Sequence, residues 1–289
     1  MSTPVTSELI ARTGAAMAEG GWRYTPRQLY YATCAAAESP SRSPARGELA
    51  LGVLLGLVAL ILLPFRPVAV GIGALAALSL LLAALTHLTH RAPSGRVLAL
   101  SFAEFEALLR TEPSPPGLID GAEVARVAGS DGRAGAARAA VVVCDTDDSA
   151  AAVRANLAHA DIDPMPVLSD GSRVAAGETA IALHDASPAG CALPLQLVDA
   201  GALVVDAGLR PAWVDGADVQ GLEGAPARMP RDLASLLTDD ELDWLRSGRR
   251  VELAVLPPER LMRLLRAALD RASAPPASQR LVASADTLP

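Results

Sequence analysis

The chain has 289 residues, 51% apolar but only 3% aromatic, enough for one large domain or two modest ones. Its net charge is −7, and all 25 basic residues are arginine; residues 1–47 hold five Arg against three Glu, and residues 92–289 hold 18 Arg against 28 acids. So acidic a C-terminal part makes a poor generic polyanion binder, because affinity for nucleic acid comes mainly from basic charge.

The first element in chain order is a helix opening at YTPRQLYYATC (24–34). Thr25 stands as N-cap, Pro26 at the first helical position, and Gln28 completes a capping box. Arg27 and Tyr31 then share a face at i, i+4 spacing, with Tyr30 beside them. The two tyrosines suit packing in a small core, or one of them suits nucleophilic attack on phosphate. A Pro/Ser/Arg linker, ESPSRSPARG (38–47), follows.

LALGVLLGLVALILLPF (49–65) and PVAVGIGALAALSLLLAALT (67–86) flank the single charge of Arg66. As helices they span about 26 Å and about 30 Å, against a hydrocarbon core of about 30 Å. The prolines of LPFRPV suit a tight join between antiparallel helices. Residues 48–91 are therefore predicted as a transmembrane helical hairpin. Arg42 and Arg46 precede it and Arg91 and Arg96 follow it, which places both termini in the cytoplasm at the inner membrane.

Beyond the hairpin, 92–137 reads as a linker and helical region. SFAEFEALLRTE (101–112) has a helical period with a Ser101/Glu104 capping box, and PSPPG then breaks the chain. From 138 to 272 strands and helices alternate. Strands are predicted at 139–144, 165–168, 179–184 and 202–208. Helices are predicted at 148–160, at 191–201 despite Pro194, at 239–248 ending in Gly, and at 257–272 after Pro257 and Pro258. This is α/β with a mostly parallel sheet. Residues 273–289 have the composition of a disordered tail.

Cys34, Cys144 and Cys191 are far apart and form no C-x-x-C pair, which argues against a zinc site or a disulfide framework. His87 and His90 lie at i, i+3 spacing with no carboxylate or thiol near them in sequence, as suits a helix end. The acids at strand ends are more informative. VVVCDTDD puts Asp145 after one predicted strand and IALHDASPAG puts Asp185 after another. Ligands of open α/β sheets bind beyond the carboxyl ends of strands. If the two strands are neighbours, the pair suits Mg²⁺, which takes a few carboxylates plus water and phosphate oxygens. Otherwise, strand-end aspartates cap the helices that follow.

DASPAG (185–190) resembles the D-x-D-P-x-G motif of the Toprim domain in the A subunit of DNA topoisomerase VI and its meiotic double-strand-break relatives. Three collinear stretches are similar to the same family. TPRQLYY (25–31) resembles its R-(D/E)-I-Y-Y segment, DAGLRPAWV (206–214) its W-L-G-L-R-P-S-D-I segment, and 237–261 its closing stretch, a helix leading into an acidic E-L/E-I strand. The resemblance implies a Toprim-like domain after a short, winged-helix-like N-terminal segment (1–47). It implies Tyr31 at the nucleophile position, Arg27 at the motif arginine, and Mg²⁺ on Asp145 and Asp185. It further implies DNA as partner and a homodimer, because the family's tyrosine and metal come from different subunits.

The chain departs from the motif twice: Asp145 stands for a glutamate and Ser187 for the second aspartate. The resemblance covers the two ends of the chain and leaves 38–137 aside. The expectation is a membrane-anchored, catalytically degenerate relative that binds DNA or a protein partner. The alternatives are active Mg²⁺-dependent cleavage through Tyr31, or an unrelated membrane protein with a cytoplasmic ligand- or protein-binding α/β domain.

Overall fold

The structure, a computed structural model, describes residues 4–38, 98, 100–111, 113–129, 140–215, 221–226 and 228–273. They belong to one compact unit, formed by residues 1–38 and 95–289. The predicted hairpin, the linker before it and the C-terminal tail from 274 onward lie outside the described residues. Among the described residues no helix is long and apolar enough to cross a membrane.

Two helices open the chain. α1 (Ser7–Met17) is capped by Thr6, whose side chain accepts from the Leu9 N–H. Gly20 and Gly21, both at positive φ, turn the chain towards α2 (Pro26–Glu38). The predicted box closes: the Thr25 N–H donates to Gln28 Oε1 at 3.1 Å, and the Gln28 N–H donates to Thr25 Oγ1 at 3.3 Å. α3 (Phe102–Thr111) starts at the Ser101/Glu104 box, and α4 (Gly121–Gly129) follows. Ile10, Tyr24, Leu29, Tyr30, Tyr31, Cys34 and Phe105 make a shared apolar cluster for this end. Neither α1 nor α4 is anticipated by the sequence reading, because alanines and glycines blur the apolar period of both.

The sheet has four strands, β1 (Val141–Cys144), β2 (Val167–Leu168), β3 (Thr179–Leu183) and β4 (Leu203–Asp206), all parallel in the order β2-β1-β3-β4. β1 lies centrally and is buried throughout, as a strand covered on both faces must be. Val142, Cys144, Ile181 and Leu183 point to one face, in the same apolar cluster as Ala150 and Val153 of α5 (Asp147–Asn156). The opposite face packs Val141, Val143, Ala180 and Ala182 against Leu193 and Leu197 of α6 (Pro188–Asp199). α6 carries Pro194 internally.

Next come the short α7 (Pro211–Val214) and a two-residue antiparallel pair, β5 (Leu222–Glu223) with β6 (Arg249–Arg250). Between these two strands lies α8 (Asp239–Arg246), held by a reciprocal Thr238/Glu241 capping box. α9 (Pro258–Ser273) ends the described chain, its apolar stripe of Leu261, Met262, Leu265 and Ala268 sealing the α5 face. The acidic stretch near 252 is not a strand. Val251 makes an isolated antiparallel bridge to Ala186, and a 3-10 turn over Leu253–Val255 follows.

Candidate functional site

Register brings the two strand-end aspartates together. β1 and β3 are hydrogen-bonded neighbours, with Cys144 opposite Leu183, so the next residues on each, Asp145 and the residue pair His184–Asp185, emerge at the same edge. The Asp185 N–H donates to Asp145 Oδ2 at 2.7 Å, and the Leu253 N–H donates to Asp185 Oδ1 at 2.5 Å. Neither aspartate caps a helix. That role belongs to Thr146, accepting from the Ser149 N–H, and to Ser187, accepting from the Gly190 N–H. Ser187 at the second acidic position of the motif thus has a local reason: a hydroxyl is a strong N-cap. Gly190 is equally constrained, since a Cβ there would lie 2.4 Å from the Asp185 carbonyl oxygen and 3.0 Å from Asp145 Oδ2.

Two further acids converge on this edge. Asp148, on the first turn of α5, accepts from the Thr25 hydroxyl at 2.5 Å. Glu252 follows the Ala186–Val251 bridge and accepts twice from Arg27 Nη1, at 2.9 and 2.7 Å. Asp147, by contrast, is exposed. Electrostatics follow from this crowding. Burial, the charge of Asp145 and that of Glu252 push Asp185 up to about 7. Burial, only partly opposed by Thr25 and Arg27, pushes Asp148 up to about 6. Asp145 is raised too, chiefly by burial. Its Oδ1 is buried and makes no hydrogen bond.

A second layer backs the aspartate pair. His184 is buried, with Nδ1 2.9 Å from the Asp185 carbonyl oxygen and Nε2 3.0 Å from Asp206 Oδ1. Both partners are acceptors, so both ring nitrogens donate and the ring is held as imidazolium. Burial works against that charge, but the Asp206 carboxylate more than offsets it and the pKa rises. Gly208 makes room for the ring, because a Cβ at that position would come 2.2 Å from His184 Cδ2.

The N-terminal residues meet the same edge from the other side, within the same chain. Arg27 is fixed between Glu252 and Phe102, whose ring centroid lies 4.5 Å from Cζ. Tyr31 is 1% exposed and packs on Tyr30 with centroids 5.1 Å apart, its phenol within the field of the Glu252 carboxylate. Burial first, and the Glu252 charge second, raise its pKa far above that of an ordinary phenol. The Tyr30 hydroxyl donates to the Leu100 carbonyl at 2.8 Å.

The structure therefore brings Arg27, Tyr31, Asp145 and Asp185 into one neighbourhood, but it surrounds the phenol with core. Sequence reasoning did not single out Glu252 or the His184–Asp206 pair. For Asp206 a signal existed: LVVD ends in an acid as β1 and β3 are followed by one. For Glu252 the signal was the E-L of the closing stretch, but its role was hidden because its partner Arg27 is 225 residues away.

Among the described residues no three His, Cys, Asp or Glu side chains stand as a ready ligand cage. Mg²⁺ does not require one, being held by one or two carboxylates with water and substrate phosphates. An acidic pair on adjacent strands, with one buried and unpartnered carboxylate oxygen, fits that demand. No protein-family model, curated protein or solved structure matches the chain.

Proposed function

We propose that the chain is a membrane-anchored, divergent relative of the topoisomerase VI A subunit that keeps a divalent-cation crevice and has lost tyrosine-dependent strand cleavage. It serves as a binding protein, for DNA or for a protein partner. The observation that carries this reading is the opposite treatment of the two halves of the site. Asp145 and Asp185 meet at the carboxyl ends of adjacent strands, free of capping duty, whereas Tyr31 is enclosed among aromatic and apolar side chains.

Each residue has a role in it. Asp145 and Asp185 would hold Mg²⁺, and His184, pinned by Asp206, favours the ionised form of both carboxylates. Bound there, Mg²⁺ neutralises phosphate or carboxylate oxygens of whatever docks. Tyr31 does not attack: a phosphodiester cannot reach a hydroxyl 1% exposed, and a raised pKa keeps it protonated at neutral pH. The acidic balance of residues 92–289 favours a protein partner over a long stretch of nucleic acid. The anchor is the apolar hairpin of 48–91, whose composition and flanking arginines support insertion with both termini cytoplasmic. A pair of chains across the sheet edge remains part of the proposal, as in the family.

The test mixes the full chain in detergent with end-labelled DNA and Mg²⁺, denatures it, and looks for a covalent adduct. Neither wild type nor Tyr31→Phe is expected to give one. An adduct formed by wild type and lost in Tyr31→Phe would replace this reading with active cleavage. Extraction of the protein from membranes by carbonate alone would remove the anchor.

A further inference from the structure

Arg27 occupies an odd position for a cation. It lies in the first turn of α2, where the helix macrodipole disfavours positive charge. What holds it there is tertiary: two bonds to Glu252, at 2.9 and 2.7 Å, and the Phe102 ring on which its guanidinium lies. Glu252 in turn is not a remote surface acid. The Ala186–Val251 bridge, with N–H to carbonyl distances of 2.9 and 3.1 Å, fixes it one residue beyond the strand-like pairing that flanks Asp185. Its neighbour Leu253 donates its N–H to the Asp185 carboxylate. Glu252 is thus wedged between one fixed cation and the aspartate pair, and its side chain is 16% exposed.

We propose that Arg27 is a built-in counter-cation for Glu252, and that this ion pair sets how tightly the aspartate edge binds a divalent cation. The inference rests on reading Asp145 and Asp185 as a cation site. It reassigns Arg27: a guanidinium with Glu252 on one side and Phe102 on the other is committed inside the chain, and does not wait for a phosphate. With Arg27 in place, the Glu252 charge is largely answered locally. Without it, that charge acts on the crevice and draws a divalent ion more strongly. A charge a few ångströms from a partly buried site changes affinity by about tenfold.

The experiment titrates Mn²⁺ alone into the full chain by calorimetry, with wild type, Arg27→Gln, Glu252→Gln and the double variant. Arg27→Gln is expected to bind about tenfold more tightly than wild type, and Glu252→Gln more weakly. In the double variant the gain from Arg27→Gln should vanish, because its route runs through Glu252. Unchanged or weaker binding by Arg27→Gln, or an undiminished gain in the double variant, overturns the proposal while leaving the cation site standing. No binding by any variant overturns the cation site itself, and this inference with it. Should Arg27→Gln fail to fold, Arg27→Lys, which keeps the charge but cannot reproduce the guanidinium contacts, should give a smaller gain of the same sign; a loss of affinity there overturns the proposal.

Discussion

The edge of the sheet and the inner face of α2 lie side by side, yet they treat polar groups in opposite ways. At the edge, Asp145 and Asp185 are brought together at a cost: burial raises the pKa of both, the charge of Asp145 raises that of Asp185 further, and Asp145 keeps an oxygen without a donor. On α2, Tyr31 is covered by aromatic and apolar neighbours. Burying two acids side by side works against folding even though each accepts a backbone N–H, whereas an aromatic ring enclosed by aromatic neighbours is what folding alone favours. The contrast separates a region organised for a ligand from one organised for packing.

The largest effects should come from Tyr31. Tyr31→Ala empties a fully buried aromatic site and should cost about 3–5 kcal/mol, read as the unfolding midpoint in denaturant. Tyr31→Phe keeps the ring that fills this site and loses only the hydroxyl, so it should stay within about 1 kcal/mol of wild type. A Tyr31→Phe protein destabilised as much as Tyr31→Ala would weaken the packing half of the comparison, since the ring that Phe retains is what fills the site.

Next in size is the dependence on pH. Asp148 and Asp185 have folded pKa values of about 6 and about 7, above the usual value of 3.8. Folded chains therefore hold more protons than unfolded ones between about pH 4 and pH 7, and stability falls as pH rises through that window. The buried His184, with its raised pKa, adds to the fall at higher pH. The thermal midpoint should drop between pH 5 and pH 8, and Asp148→Asn should flatten part of the slope. A midpoint that rises over this range would mean the acids are not crowded.

A smaller effect isolates Ser187. Ser187→Ala removes the cap of α6 and should cost about 1 kcal/mol. Ser187→Asp retains a capping oxygen and adds a carboxylate beside the aspartate pair. It should leave the thermal midpoint within a degree or two of wild type while tightening Mg²⁺ binding. Tighter binding from Ser187→Ala would contradict the assignment of the edge to a cation.

How much was legible in the sequence follows the range of the interactions. The four strands of the parallel sheet, six of the helices and two capping boxes are written in local patterns: VVVC and TAIAL as buried runs, Thr25/Gln28, Ser101/Glu104 and the Gly-ended DDELDWLRSG as start and stop signals. The neighbourhood of Asp145 and Asp185 followed from one condition, strand adjacency, which the β1–β3 pairing meets. That the aspartates do not cap was not legible, because Thr146 and Ser187 compete for the same job one and two residues on. Nor was the fate of Tyr31. Its burial depends on α1, α3 and the turn after Glu252, which lie from about 20 to over 200 residues away and carry no signal within YTPRQLYY.

The central claim is that the acidic edge binds a divalent cation through Asp145 and Asp185. Calorimetric titration of Mg²⁺ into wild type, Asp145→Asn and Asp185→Asn tests it most directly. One ion bound by wild type, with affinity lost by tenfold or more in each variant while both remain folded, is the result expected. Equal affinity in all three proteins, or no binding by wild type at any pH above 7, would contradict it.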